Sequence, residues 1–398
     1  MNKLLVNIIC LFMLKKKNRH KFREKYSDYE TNNEIKNYIA YQYALPFINA
    51  KAKKNTICVM EFYCHYEVIP SIIKYLLDLG YNVHLFVKNE QNSLNSLINC
   101  DFPTDNFQIF TIPKFVNRDE VFNSLLQYKH IFLLTSLFEI HKVFYERYVK
   151  QFGKDNFTYI SHHFNHSPEV PIGEESENFF VKHNRIFTLR DKIKYGEKTV
   201  PFFYPIYFGS INITPKNKVV RFISTGTWTK GVRNFDTLFE SMKKLIANNI
   251  TNFVVEIVGK INFDITGLEK YFYSKGKVSF ADMYESMEQS DYLLFLLDKN
   301  MDIGTYNRYL KYATTGTLGL AVGFQKVSLI TNELGELYGL DSSRAINYND
   351  DDLYDAMKTA IEMGDEEYLK KQNNLGKYKD ELMKKSVENL DKYINEVK

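Results

Sequence analysis

The alternation that begins at residue 56 constrains this chain more than any other feature. "TICVM" is a short apolar run with a β-branched start. "VIPSIIKYLLDLG" (68–80) then places Ile69, Ile72, Ile73, Leu76 and Leu77 at helical spacing, and Gly80 supplies a C-terminal cap. "YNVHLFV" follows as a strand. A strand, a helix and a strand in this order predict a parallel pair joined by a right-handed crossover. The pattern continues through "FQIFTI", "EVFNSLLQY", "HIFLLTS", "FTYIS" and "RIFTL". It breaks at "PFFYPIYFGSINITPKNK" (201–218), a Pro-rich, aromatic stretch that reads as a domain linker. It then resumes with "VVRFIST", "NFDTLFESMKKLIANN" and "NFVVEIVG", and ends in a charged helical tract over 351–397.

A length of 398 residues exceeds one ordinary core and fits two α/β domains. The expected architecture is two Rossmann-like, doubly wound domains facing a cleft, with an amphipathic helical N-terminal extension. The divisions fall at 1–50 for the extension, 51–208 and 209–375 for the domains, and 376–398 for a helix returning to the first domain.

Composition narrows the function classes. A net charge of +4 argues against a nucleic-acid partner. The four cysteines form no CxxC pair, which argues against a zinc ribbon or a disulfide framework and suits a reducing cytosol. The apolar "LLVNIICLFML" (4–14) is shorter than the roughly 20 residues a spanning helix needs. The basic "KKKNRHKFREK" follows it, the reverse of a signal peptide. Residues 1–25 therefore suit a helix lying on an anionic membrane surface. A helix docked on the protein itself is the plainer alternative. The expected location is cytoplasmic, peripheral on the inner face of the membrane.

In doubly wound sheets, ligands meet the loops that follow strands. Four such loops carry candidate chemistry. "TGTWTKGVRN" (225–234) enters a helix, with Gly226 for close backbone approach and Lys230 and Arg233 as cations, so it suits a phosphate. Neither a GxGxxG nor a P-loop pattern is present. "EFYCHYEVIP" (61–70) offers Glu61, His65 and Glu67, of which Glu61 or His65 would accept a proton from a hydroxyl nucleophile. In a plain structural reading, Glu67 caps the next helix and His65 bonds within the loop. "ISHHFNHSPEVP" (160–171) carries His162, His163 and His166, but not at HExxH spacing, so a metal is not expected and a polar cleft wall is. "GKVSFADMYESMEQSDYLLFLL" (276–297) offers Phe280 and Met283 as surfaces for a base, or as ordinary helix packing. Finally, "TTGTLGLAVGFQKVSLI" (314–330) sets Thr314, Thr315, Gly316 and Thr317 at a helix N-terminus, which suits phosphate as well as plain capping.

Taken in order, these segments resemble the GT-B glycosyltransferases, particularly the family-4-like retaining branch of bacterial surface-polysaccharide and lipopolysaccharide biosynthesis. The resemblance covers most of residues 56–395. It is carried by "GTWTKGVRNFDTLFESMKKL", "VEIVG", "GKVSFADMYESMEQSDYLLFLL" and "TTGTLGLAVGFQKVSLI" in that order, and by the opening βαβ. It implies a hexosyltransferase that needs no metal and no cofactor. A nucleotide-sugar donor such as a UDP- or GDP-sugar would be held by the second domain, and a glycan or lipid-linked acceptor by the first. Thr227, Gly259 and Tyr306 join the donor residues on the same basis. One departure stands out: "YLKYATTGTLGLAVG" lacks the paired glutamates many members carry, so the threonines would replace a carboxylate. That departure also admits a non-catalytic binding subunit, and the fold admits a sugar-nucleotide epimerase.

Overall fold

The computed structural model describes residues 51–61, 65–87, 94–111, 124–134, 156–162, 185–195, 197–226, 233–261 and 265–396. The expected N-terminal extension and Thr227, Lys230, His163 and His166 lie outside the described residues.

The first domain is a six-stranded sheet built from β1 (Thr56–Glu61), β2 (Asn82–Val87), β3 (Phe107–Thr111), β4 (His130–Leu133), β5 (Phe157–Ser161) and β6 (Ile186–Thr188). Its order is β3-β2-β1-β4-β5-β6, and every pair is parallel. Helix α1 (Ile69–Asp78) connects β1 to β2 behind a one-turn 3₁₀ segment, Tyr66–Val68. Its Ile69, Ile72, Ile73 and Leu76 are fully buried, each contributing about 1.5–3 kcal/mol. Gly80, in the left-handed conformation, closes the helix by donating to the Leu77 carbonyl. A small antiparallel pair, β7 (Lys194–Tyr195) and β8 (Lys198–Thr199), follows the sheet.

The second domain repeats the plan. Strands β9 (Val220–Thr225), β10 (Phe253–Val258), β11 (Phe272–Ser274), β12 (Tyr292–Leu294), β13 (Val327–Thr331) and β14 (Ala345–Tyr348) lie in the parallel order β11-β10-β9-β12-β13-β14. The helices are α2 (Phe235–Ala247), α3 (Phe280–Gln289), α4 (Ile303–Lys311), α5 (Gly316–Gly323), α6 (Asn332–Tyr338) and α7 (Leu353–Glu362). In both sheets the strand order reverses beside the central strand, between β1 and β4 and between β9 and β12. That reversal opens a crevice at the strand ends.

Two segments join the domains. The first part of the stretch after Pro201 is largely buried, while residues 210–219 are mostly exposed. Phe203 sits in the first core, and Tyr204, Ile206 and Phe208 in the second. It lies hard against α5, where a Cβ on Gly319 would stand 2.6 Å from the Pro205 carbonyl and one on Gly323 2.4 Å from the Phe208 ring. The charged C-terminal tract is two helices, α7 and α8 (Asp365–Glu396), separated at Met363–Gly364. Helix α8 is continuous across both domains. Its Tyr368, Leu375 and Leu382 pack in the second core, and its Leu390, Tyr393 and Ile394 in the first. Near its end the Tyr393 hydroxyl meets Thr158 Oγ1 at 2.8 Å, which in turn meets His130 Nε2 at 2.6 Å.

Candidate functional site

A cleft of about 350 Å³ lies between the domains. Its second-domain side is built from the β9–α2 loop and the start of α5. Gly226, with φ +109°, ends β9 in a conformation that L side chains rarely adopt, and a Cβ there would press within 3.3 Å of the Arg233 guanidinium. Gly226 and Arg233 thus lie against each other, and both line the cleft. Arg233 Nη1 donates to the Phe295 carbonyl at 2.7 Å, and Nη2 to Thr317 Oγ1 at 3.3 Å. Thr315 caps α5: its Oγ1 accepts the Thr317 amide at 3.3 Å and donates to Thr317 Oγ1 at 3.1 Å. Among the described residues no carboxylate pairs with Arg233. Burial pulls its pKa down, yet a guanidinium stays charged at any ordinary pH. A desolvated cation without a counter-ion, beside the positive end of a helix, attracts an anion.

The first-domain side carries the complementary chemistry. His65 and Glu67 lie in the turn after β1, and His65 Nδ1 donates to Glu67 Oε1 at 2.8 Å. Burial opposes protonation of His65, but the hydrogen bond and charge of Glu67, with the charge of Glu61 behind it, outweigh burial and raise its pKa. His162 follows β5 and stacks on His65, with ring centroids 3.5 Å apart and planes 18° from parallel. His162 Nε2 donates to the Leu134 carbonyl at 2.8 Å.

The cleft thus gathers His65, Glu67 and His162 from one domain and Gly226, Arg233, Phe280, Met283 and Thr314–Thr317 from the other. It does not gather all the expected residues. Glu61 is the last residue of β1, paired in register with Val87 and fully buried, not a loop residue. Gly259 follows β10, its carbonyl accepts from Ser274 Oγ, and it does not line the cleft. Tyr306 is buried, and its hydroxyl donates to Glu333. Phe280 is the first residue of α3, which Ser279 and Asp282 close with a capping box. Lys326, beside the α5 segment, is fully buried and donates to the Glu288 and Ser290 carbonyls at 2.8 Å each, so it ties α3 to β13 and does not reach the cleft. Sequence reasoning missed Tyr309 of α4 and Pro205 and Phe208 of the connecting stretch, all of which line the cleft. No periodicity marks them, because a fold-back between domains places them.

Among solved structures, the chain is similar to one from Listeria monocytogenes assigned as a UDP-N-acetylglucosamine 2-epimerase. The identity is 10% and the TM-score 0.50, over 80% of this chain and 91% of that one. It is also similar to the α,α-trehalose 6-phosphate synthase of Burkholderia multivorans, at 9% identity and a TM-score of 0.52, over 86% and 96%. The chain has the GT-B fold. No family model matches the sequence, and no curated protein matches it. Within the GT-B frame, Arg233 and the start of α5 belong to the C-terminal domain, and the imidazole–carboxylate pair belongs to the N-terminal one.

Proposed function

We propose that this protein is a glycosyltransferase that moves a sugar from a nucleoside-diphosphate donor to a hydroxyl of a glycan or lipid-linked acceptor. One observation carries the reading: Arg233, half-buried and unpaired with any carboxylate among the described residues, meets the α5 N-terminus across the cleft from His65 and Glu67. As the sugar–phosphate bond breaks, negative charge grows on the leaving diphosphate. The guanidinium and the helix dipole stabilise that charge in place, so the phosphates need no metal ion. Glu67 holds the Nδ1 hydrogen of His65 and leaves Nε2 to accept the acceptor's proton. A retaining outcome is proposed on resemblance, and the anomeric configuration of the product tests it.

The first experiment is calorimetry with UDP, GDP, CMP and ADP, followed by transfer assays on wild type and on the Lys230→Ala/Arg233→Ala double variant. Undiminished turnover in that variant refutes the phosphate assignment. The His65–Glu67 pair also suits an epimerase, which removes a proton from its own donor. Isomerisation of the donor in the absence of any acceptor would favour that reading. A binding subunit without turnover would release no diphosphate from any donor. Residues 1–25 are proposed to rest on an anionic membrane, and unchanged vesicle flotation after their deletion would refute this. Among the described residues no helix is long and apolar enough to cross a membrane.

A further inference from the structure

We infer that His65, Glu67 and His162 form a binding site for one divalent transition-metal ion on the first-domain wall of the cleft. The inference rests on the donor set alone and not on the transferase reading. The three donor atoms lie within 4.8 Å of one another, although two come from the turn after β1 and one from the end of β5. Two imidazoles and a carboxylate suit Zn²⁺, Co²⁺ or Ni²⁺. Mg²⁺ and Ca²⁺ prefer oxygen ligands throughout.

Three features support a site over a chance cluster. The first is orientation. The Leu134 carbonyl can only accept, so His162 Nε2 carries the hydrogen and Nδ1 keeps the lone pair. Metal-binding histidines commonly have their other nitrogen held in this manner. The second is charge. Glu67 lies against His65 at 2.8 Å, and the buried Glu61 acts on the same ring. Two carboxylates beside two imidazoles favour a dication more strongly than a single proton. The third is access. All three residues are half-buried and line the cleft, so an ion enters from solvent and retains room for water or a substrate oxygen, as an open site requires.

Binding has a definite geometric demand. A four-coordinate ion with bonds of about 2.1 Å spaces its donors about 3.4 Å apart, so the three side chains must draw together. The two rings now lie stacked, with 3.5 Å between centroids. Leu134 pins His162, so His65 is the ring that turns out of the stack toward Glu67 and the ion. If Nδ1 is the ligand, the single ring proton passes through solvent to Nε2, so the imidazole stays neutral and Nε2 no longer accepts. The ion-bound and proton-accepting states of His65 then exclude each other.

The test uses the full chain, untagged and stripped with chelator, titrated with Co²⁺ by visible absorption and with Zn²⁺ in competition. The expected result is one ion per chain with ligand-field bands of nitrogen–oxygen coordination. Glu67→Gln, His162→Gln and His65→Gln should each weaken binding by roughly tenfold or more. Circular dichroism and melting temperature establish that each variant folds, and His162→Asn replaces any that does not. Absent ligand-field bands, or an affinity unchanged in Glu67→Gln and His162→Gln, overturn the site. UDP binding is read on the same samples. UDP bound without Co²⁺ sinks the ion site alone, and Co²⁺ bound without UDP sinks the donor reading alone.

Discussion

The two domains share one strand order and both bury full charges, Glu61 and Arg190 in the first and Glu256 and Lys326 in the second, but only the first also buries imidazoles. All nine histidines of the chain lie before residue 184, and none lies in the second domain. The first sheet buries imidazoles: His84 against the Tyr128 hydroxyl at 2.8 Å, and His130 against Thr158. The second buries full charges. Glu256 accepts from Tyr273 at 2.6 Å beside Arg221 and Lys275, while Lys326 and Lys379 donate to backbone carbonyls. Imidazoles can be buried neutral, whereas guanidinium and ammonium groups keep their charge unless strongly desolvated. The cleft inherits the contrast: one wall trades protons and the other holds fixed positive charge. On the proposed function, binding of a leaving phosphate and acceptance of a proton would fall to different domains.

The largest expected effect tests the proton-trading wall. His65→Ala should lower transfer by about 10²–10⁴-fold while nucleotide affinity is kept. An equal loss of both would erase the division between the walls. Next is the join. Gly323→Val should destabilise the chain by about 3 kcal/mol in urea unfolding, since its side chain meets the Phe208 ring and the Ile206 carbonyl. Arg233→Ala should weaken UDP binding by about 2 kcal/mol, roughly thirtyfold, without lowering the melting temperature. A variant that instead loses fold stability would make Arg233 a structural residue.

The acid response above the carboxylate range should come from the buried imidazoles of the first domain. Burial lowers His84 to about 4 and His130 to about 3, with nearby cations adding to the shift, while an unfolded chain protonates near 6.5. Between those values the unfolded state binds more protons, so stability is lost as pH falls from about 6.5 toward 4. His130→Gln should flatten that decline in a series of urea midpoints. An identical slope in the variant would place the acid sensitivity elsewhere. The smallest effect is at the cap. Thr315→Val should cost about 1 kcal/mol of stability and weaken UDP binding modestly, since it removes the acceptor of the Thr317 amide and a partner of Thr317 Oγ1.

Much of the fold was legible because parallel strands are apolar runs and the helices between them keep a 3.6-residue period, as the segment from Thr56 to Val87 does in full. The places of Arg233, after a strand, and of Thr314–Thr317, at a helix start, on the cleft wall were legible too. Other features depend on through-space placement. Glu61 reads like the start of a loop, yet its pairing with Val87 draws it into the sheet. His162 had no metal spacing within its own loop, and only the β1-β4-β5 adjacency brings it onto His65. Lys326 follows a helix that reads as phosphate-binding, but the open carbonyls at the end of α3 claim it.

Helix α8 has a mechanical consequence. With the strap at Pro201–Phe208, it is one of two places where the described chain crosses from domain to domain, and both crossings are packed into both cores. Two bodies joined at two nearby points swing about the line between those points and resist twisting about any other. Any opening of the cleft should therefore follow a hinge about that line, and inter-domain distance measurements with and without nucleotide check it. The Tyr393–Thr158–His130 chain anchors the end of the long arm, so loosening it should widen the swing without altering either wall.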